Sequence, residues 1–505
     1  MQTPQPVLPP PEAPPPDLAY FRGLHELLPA PFFNTQAFLV FFAAVALVYW
    51  LTPRRWNTVR VWWLVVASFH FYAAWSYELA FLVLGTTVAD YTFARLMDDD
   101  RLKRLRLLLL LTSVGMNLGV LCYFKYCDFF LGSINTALTK AGYNPAFAAL
   151  TVMIPFGISF YTFEAISYAV DVYRRKIRAE RSLPHFVLFI LFFPHLVAGP
   201  IVRAGDFLRQ AHRPKRWNWL RVQAGVQLFL LGVFKKMAIA DRMAQFCDPV
   251  LAAPTEFNTS AVWLAVLAYA VRIYADFSGY SDMALGLAHL LGYRLTVNFN
   301  LPYLSANVSE FWRRWHISLS SWLRDYLFIP LGGSRGNSFA TSRNLMLTML
   351  LGGLWHGAAW SYVIWGGLHG LFLIAHRQFR GWCESRPRLT AVLESVPGTG
   401  VRILVTFVCV SLAWVFFRPD VQGSLDILAR MFAYSPGKPL LLSNRSLWWT
   451  VGFVFACMWL WRWGVVQRVW AKLPPTAMGG GYAACLTAAM LLAPPVGKTF
   501  IYFTF

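Results

Sequence analysis

Ten histidines offer the side chains best suited to moving a proton near neutral pH, and two of them stand in settings that could turn this to catalysis. His356 lies in LTMLLGGLWHGAAWSYVIWGGLHG (347–370), at the turn between two apolar stretches. The glycine pairs around it let helices and backbone approach closely. A general base must be neutral, and an apolar setting disfavours a charged imidazole. His316 lies in SEFWRRWHISLSSWLRDYLFIPLGGSRG (309–336). At helical pitch Phe311, Trp312, Trp315, Leu319, Trp322, Leu323 and Tyr326 share one arc, while Arg313, Arg314, Ser321, Arg324 and Asp325 share the other. The spacing predicts one amphipathic helix, at a membrane interface or tucked into the protein, with His316 at the edge of its apolar arc and facing a partly wet cavity. His25, His185 and His212 fall near loops and are expected to be solvated, and His70, His289, His369 and His376 are expected to be structural. Asp276 and Asp282 bracket Gly279 in an apolar stretch, where they would anchor a break in the chain or pair with Arg272 and Arg294.

The composition says what must position these groups. Hydrophobic residues make up 57% of the 505, and charged residues only 14%. A soluble chain needs about 25% charged residues to cover its surface. With 22 Trp, 21 Tyr and 42 Phe, the apolar surface exceeds what one soluble core can bury, so lipid is the main solvent. The excess of 45 Lys and Arg over 24 Asp and Glu sits in short loops between apolar runs, as the positive-inside rule requires, and no basic domain is present to bind nucleic acid. The seven cysteines form no C-x-x-C pair and are expected to act as small hydrophobes, with neither metal site nor disulfide framework.

The chain begins with a Pro-rich tail and interfacial segment (1–34), followed by one membrane domain (35–505). Spans are expected near 36–51, 60–75, 78–94, 107–124, 148–172, 220–241, 259–275, 343–355, 358–376, 401–417, 447–465 and 482–498. Arg54, Arg55 and Arg60, then Arg101, Lys103, Arg104 and Arg106, place the first and third loops in the cytoplasm and both termini outside. The run 182–201 is apolar enough to span, but basic clusters lie on both sides of it, at 174–181 and 203–216. It is therefore expected to be a re-entrant hairpin buried in protein. The fold class is all-α: a polytopic membrane protein of about twelve spans with re-entrant and amphipathic helices.

EFWRRWHISLSSWLRDYLFIPLGG (310–333) and GGLWHG (352–357) resemble the two signature segments of membrane-bound O-acyltransferases, in the alginate O-acetyltransferase branch of bacterial polysaccharide acetylation proteins. PFGISFYTFEAISYAVDVYR (155–174), FFPHLVAGPIVR (192–203), DFSGYSDMALGLAHLLGYRLTVNFNLPYLS (276–305) and the ending FIYFTF (500–505) are similar to that branch, while the Pro-rich head is not. His195 stands where the branch commonly carries Gln. The resemblance implies helices around a central tunnel, His356 as the catalytic residue and His316 as its partner across the tunnel.

It also implies acetyl transfer from cytoplasmic acetyl-CoA to an extracytoplasmic polysaccharide, in a bacterial inner membrane, with a periplasmic acetyltransferase as partner. D-alanyl transfer to teichoic acid, peptidoglycan O-acetylation and transport without chemistry are the alternatives. The basic clusters flanking 182–201, Arg203 and Arg209 among them, would hold CoA phosphates on the cytoplasmic face. His316 would orient the donor or stabilise the oxyanion. Tyr502, in an aromatic tail, carries a hydroxyl that could accept the acetyl group and hand it on if His356 served as base.

Overall fold

The computed structural model describes residues 33–143, 147, 154–418, 420–440, 442–494, 498, 500 and 501. The Pro-rich head, His25 and Tyr502 thus lie outside the described residues.

Helices make up most of the described chain. The first group is α1 (Gln36–Leu51), α2 (Asn57–Ala73), α3 (Tyr77–Asp98), α4 (Arg106–Leu121) and α5 (Cys127–Lys140), the last two joined by a wide π-helical turn at Cys122–Tyr126. Then come α6 (Ile158–Tyr173), α7 (Leu183–Leu191), α8 (Phe193–Leu196) and α9 (Ala204–Ala211). They are followed by α10 (Trp219–Phe234), α11 (Asp241–Ala252) and α12 (Thr259–Leu290). Next are α13 (Val308–Arg314), α14 (Ile317–Leu323), α15 (Ser338–His356) and α16 (Trp360–Glu384). The chain continues through α17 (Pro387–Glu394), α18 (Val396–Trp414), α19 (Val421–Phe432), α20 (Asn444–Arg462), α21 (Val465–Trp470) and α22 (Pro475–Leu492). Polar caps start many of them: the side chains of Thr35, Ser76, Asn218, Asn258, Asn307 and Asn337 each accept the N–H of the residue three positions on. Among the described residues, five helical segments are long and apolar enough to cross a membrane on their own, or six if the bent pair α1–α2 counts as one span. Large apolar side chains on α1, α4, α18, α20 and α22 face outward, which suits a lipid solvent.

Two helices form the interior. Almost all of α6 is buried. Helix α12 runs unbroken for 32 residues, about 48 Å, through Gly279. It therefore has no break for Asp276 and Asp282 to anchor. Its glycines serve packing instead. A Cβ on Gly232 of α10 would lie 2.5 Å from the Gly279 carbonyl oxygen, and one on Gly225 would lie 2.9 Å from that of Gly286. Two glycine pairs seven residues apart thus let α10 and α12 touch backbone to backbone.

The basic loops gather at one end. Arg60 donates to the carbonyls of Thr52 (2.9 Å) and Lys215 (3.1 Å), Tyr91 to that of Arg181 (2.6 Å) and Arg106 to that of Tyr173 (2.9 Å). The run 182–201 enters and leaves at this end, since His212 Nε2 lies 2.7 Å from Glu180 Oε2 and stacks on His185 at 4.1 Å. It bends at Phe192 and is buried along nearly its whole length, as a re-entrant hairpin requires. His185 is consequently buried, not solvated; only His212 stays half exposed.

Candidate active site

His356 is the last residue of α15; Gly357, in extended conformation, ends the helix, and α16 starts at Trp360. The imidazole is buried among Trp355 (ring centroids 5.0 Å), Trp365 (5.0 Å) and Phe417 (5.1 Å). The last carbonyls of a helix lack internal partners and, when buried, must find them elsewhere in the fold. Here Lys125, on the π-helical turn after α4, supplies them. Its Nζ donates to the carbonyls of Trp355 (2.7 Å) and His356 (3.3 Å) and to Ser159 Oγ (3.1 Å).

His316 sits at a kink, which corrects the expectation of one continuous amphipathic helix: α13 stops at Arg314 and α14 restarts at Ile317. Its φ of 43° is left-handed, unusual for a residue with a Cβ. Two backbone bonds secure the kink, from Ile317 N to the Asn298 carbonyl (2.9 Å) and from Asn300 N to the Arg314 carbonyl (2.9 Å). The apolar arc is buried as expected, Tyr326 excepted, and the segment is tucked into the protein. His316 itself is fully buried rather than facing a wet cavity. Its ring packs on Phe277 (4.7 Å) and stands 6.2 Å from that of His356, the planes at 63°. The fold thus brings together two imidazoles forty positions apart.

Phe500 and Ile501 pack beside the same wall. Phe500 is buried, stacked on Tyr280 (4.6 Å) and 6.0 Å from Phe277. The N–H of Ile501 donates to Asp276 Oδ2 at 2.7 Å. Lys236 joins Asp276 (2.9 Å), Asp241 (2.7 Å) and the carbonyl of Lys498 (2.8 Å). Asp276 therefore holds the tail and a lysine, whereas Arg272 pairs with Asp248, Asp282 with Lys235 (2.6 Å), and the backbone of Arg294 with the Gln210 amide.

Arg203 and Arg209 do not converge. Arg203 pairs with Asp325 (3.3 Å) and lies over the Tyr326 ring (4.4 Å), while Arg209 is exposed and bonded to Asp206 (2.8 Å). A groove of about 410 Å³ instead runs beside α13 and α14, lined by Ser309, Arg313, Ile317, Ser320, Ser321 and Arg324 among others. The string GGSRG (332–336) fits the G-x-S-x-G spacing of a nucleophile elbow, but Ser334 is exposed in a turn that follows a helix, not a strand. His195 is buried, its Nδ1 3.8 Å from Glu164 Oε1, and His369 is buried among Trp312, Trp365 and Phe311.

The sequence profile of the membrane-bound O-acyltransferase family matches residues 109–417, a stretch that contains both histidines. The chain belongs to this family. A probable alginate O-acetylase of Azotobacter vinelandii, AlgI, is 42% identical over 406 residues, covering 79% of this chain and 77% of that protein. A peptidoglycan O-acetyltransferase of Helicobacter pylori is 35% identical, covering 79% of each chain. A teichoic acid D-alanyltransferase of Bacillus subtilis is 28% identical over 45% of this chain and 60% of its own length. As a membrane-bound O-acyltransferase, the chain is a multi-pass membrane enzyme that transfers an acyl group to oxygen.

No sequence motif marks Lys125, Asn298, Lys236 or Asp241. Lys125 and Lys236 did carry a signal, as charged residues inside apolar runs.

Proposed function

We propose that this enzyme moves an acetyl group from cytoplasmic acetyl-CoA to a polysaccharide outside a bacterial inner membrane, with His356 as general base. The observation that carries the proposal is the pair of buried imidazoles, 6.2 Å apart, with Phe500 near Phe277, the ring that packs on His316. An acceptor hydroxyl oxygen attacks the thioester carbonyl while His356 takes its proton. The C–S bond then breaks, and the imidazolium returns the proton to the departing thiolate. His316 supplies the second imidazole at the reacting centre.

On the basic side, which charge assigns to the cytoplasm, the groove is lined by two exposed guanidiniums, Arg313 beside Ser309 and Arg324 beside Asp325, and so suits a phosphate-rich donor better than Arg203 and Arg209, which line no common groove. Both termini then lie in the periplasm. Tyr502 takes the acetyl group as an aryl ester and passes it to a periplasmic acetyltransferase that finishes the polymer. The buried approach of Phe500 and Ile501 supports a tail that reaches the site. The alginate O-acetylase relatives favour an alginate-like acceptor; peptidoglycan is the second choice, since the Helicobacter protein covers as much of the chain.

His356→Ala should abolish polymer acetylation while the protein still accumulates in the membrane. Tyr502→Phe keeps the ring and removes the hydroxyl. Polymer acetylated normally by His356→Ala would overturn the base, and normal acetylation by Tyr502→Phe would overturn the relay.

A further inference from the structure

We propose that Asn298 is a positioning residue: it holds the proton of His316 on Nδ1, so that Nε2 presents a lone pair to the acyl-transfer site. The proposal builds on the two-histidine reading and adds to it the direction in which His316 can act.

The derivation needs only donor and acceptor bookkeeping. The side chain of Asn298 is buried, with Oδ1 3.1 Å from Ser318 N, 2.9 Å from Ser318 Oγ and 3.3 Å from His316 Nδ1. A backbone N–H only donates, so the amide atom facing Ser318 N must be the carbonyl oxygen. That contact fixes the orientation of the amide. Ser318 Oγ accepts the N–H of Ile201 at 3.0 Å, which leaves its own proton to donate to Oδ1. The other amide atom, Nδ2, points toward Ser281 Oγ at 3.5 Å. Oδ1 is thus purely an acceptor, and the imidazole nitrogen beside it must bring a proton. A neutral imidazole carries one proton, so Nε2 carries the lone pair. Among the described residues Nε2 is buried and has no hydrogen-bond partner. Both nitrogens are thereby assigned, one to Asn298 and one to a reacting group.

The same residue sets the backbone. The Asn298 carbonyl accepts Ile317 N at 2.9 Å, on the far side of the left-handed His316. One asparagine therefore fixes both the strained conformation and the ring's tautomer, as expected where strain serves a site. A chemical consequence follows. In this tautomer His316 cannot donate from Nε2 to an oxyanion; it accepts, and donates only after taking up a proton. Oxyanion stabilisation by the resting imidazole, expected from the sequence, does not fit this network.

The experiment uses the full-length protein in detergent or nanodiscs with ¹⁵N-labelled histidine, the His316 signals being those lost in His316→Gln. Wild type should show the proton on Nδ1. Ser318→Ala, which keeps the backbone N–H, and Asn298→Asp, which keeps an acceptor oxygen, should retain it. Asn298→Leu should release it, with kcat lowered on the order of 100-fold, the low end of the range for proton-transfer assistance, and KM little changed. If Asn298→Leu does not fold, the wild-type, Ser318→Ala and Asn298→Asp spectra decide. A proton on Nε2 in wild type, its loss from Nδ1 in Asn298→Asp, or an Asn298→Leu variant with wild-type signals and kcat overturns the proposal. Failure of the two-histidine reading would look different: His316→Gln would keep full activity while the tautomer still depended on Asn298.

Discussion

The N–H of Ile501 donates to Asp276 Oδ2 at 2.7 Å, tying Ile501 to the middle of the 32-residue helix α12. The next residue on that helix, Phe277, packs on His316, so the tail and the catalytic candidate share one wall. Buried charges are costly unless they are paired. Lys236 pairs Asp276 and Asp241 and spends its remaining contact on the Lys498 carbonyl.

Loss of this clamp should separate tail function from folding. Asp276→Ala removes the acceptor of Ile501 N while leaving Lys236 its partner Asp241. A charge-assisted hydrogen bond is worth about 1.5–3 kcal/mol, so occupancy of the tail should fall roughly 10- to 100-fold. Polymer acetylation should drop accordingly while donor binding holds. Lys236→Met should be harsher, because it strands two buried carboxylates, at about 3–5 kcal/mol for a broken buried pair. Equal polymer acetylation by Asp276→Ala and wild type would show that the contact does not position the tail.

Lys125→Met should lower activity through the helix that carries His356. The substitution keeps most of the side-chain volume and removes the amine that donates to the Trp355 and His356 carbonyls. Each buried carbonyl left unpaired costs about 1–3 kcal/mol. The measurable outcomes are a lower unfolding temperature in detergent and a reduced kcat. A variant with unchanged kcat would mean that α15 ends firmly without the lysine.

Charge reversal in the groove tests the donor side. Arg313 and Arg324 are exposed at its edge. Arg313→Glu with Arg324→Glu should raise the KM for the acyl donor and remove its salt dependence, since exposed charges act through a screened field. The same reversal at Arg209, which does not line the groove, should change little. The opposite ranking would return the donor to the loop after the hairpin.

The sequence disclosed more about helices than about contacts. Each expected span contains an observed helix because apolar length is a local property, and the 182–201 hairpin followed from charge on both flanks. The kink at His316 was hidden, since its φ is imposed by Asn298 and Asn300, outside the helical run. The continuity of α12 was misjudged because Gly279 looks like a break in isolation and is a packing surface once Gly232 faces it. His316 and His356 were each visible as candidates, but their meeting depends on how the end of α15, which crosses α16, packs against the α13–α14 kink.

That crossing yields the sharpest mechanical test. In an exposed helix, Gly→Ala is stabilising by up to about 1 kcal/mol, because alanine fixes the backbone more cheaply. Gly353 lies one turn before His356, and a Cβ there would collide with the Tyr362 carbonyl oxygen and approach the Gly366 Cα to 3.1 Å. The obstacle is backbone, which cannot rotate away as a side chain can. Gly353→Ala must therefore push α15 and α16 apart, and overpacking of this kind costs about 1–3 kcal/mol. Helix propensity and close approach predict opposite signs, so the sign identifies the winner. Gly115 supplies the control: it lies within α4, and a Cβ there would meet nothing within 4 Å. Gly115→Ala should raise the unfolding temperature slightly and leave acetyl transfer unchanged. Gly353→Ala should lower both, since Trp365, the ring beside His356, rides on the helix being displaced. A stabilised and fully active Gly353→Ala would mean that the two helices can part without moving the imidazole, and that the glycine is not what sets its position.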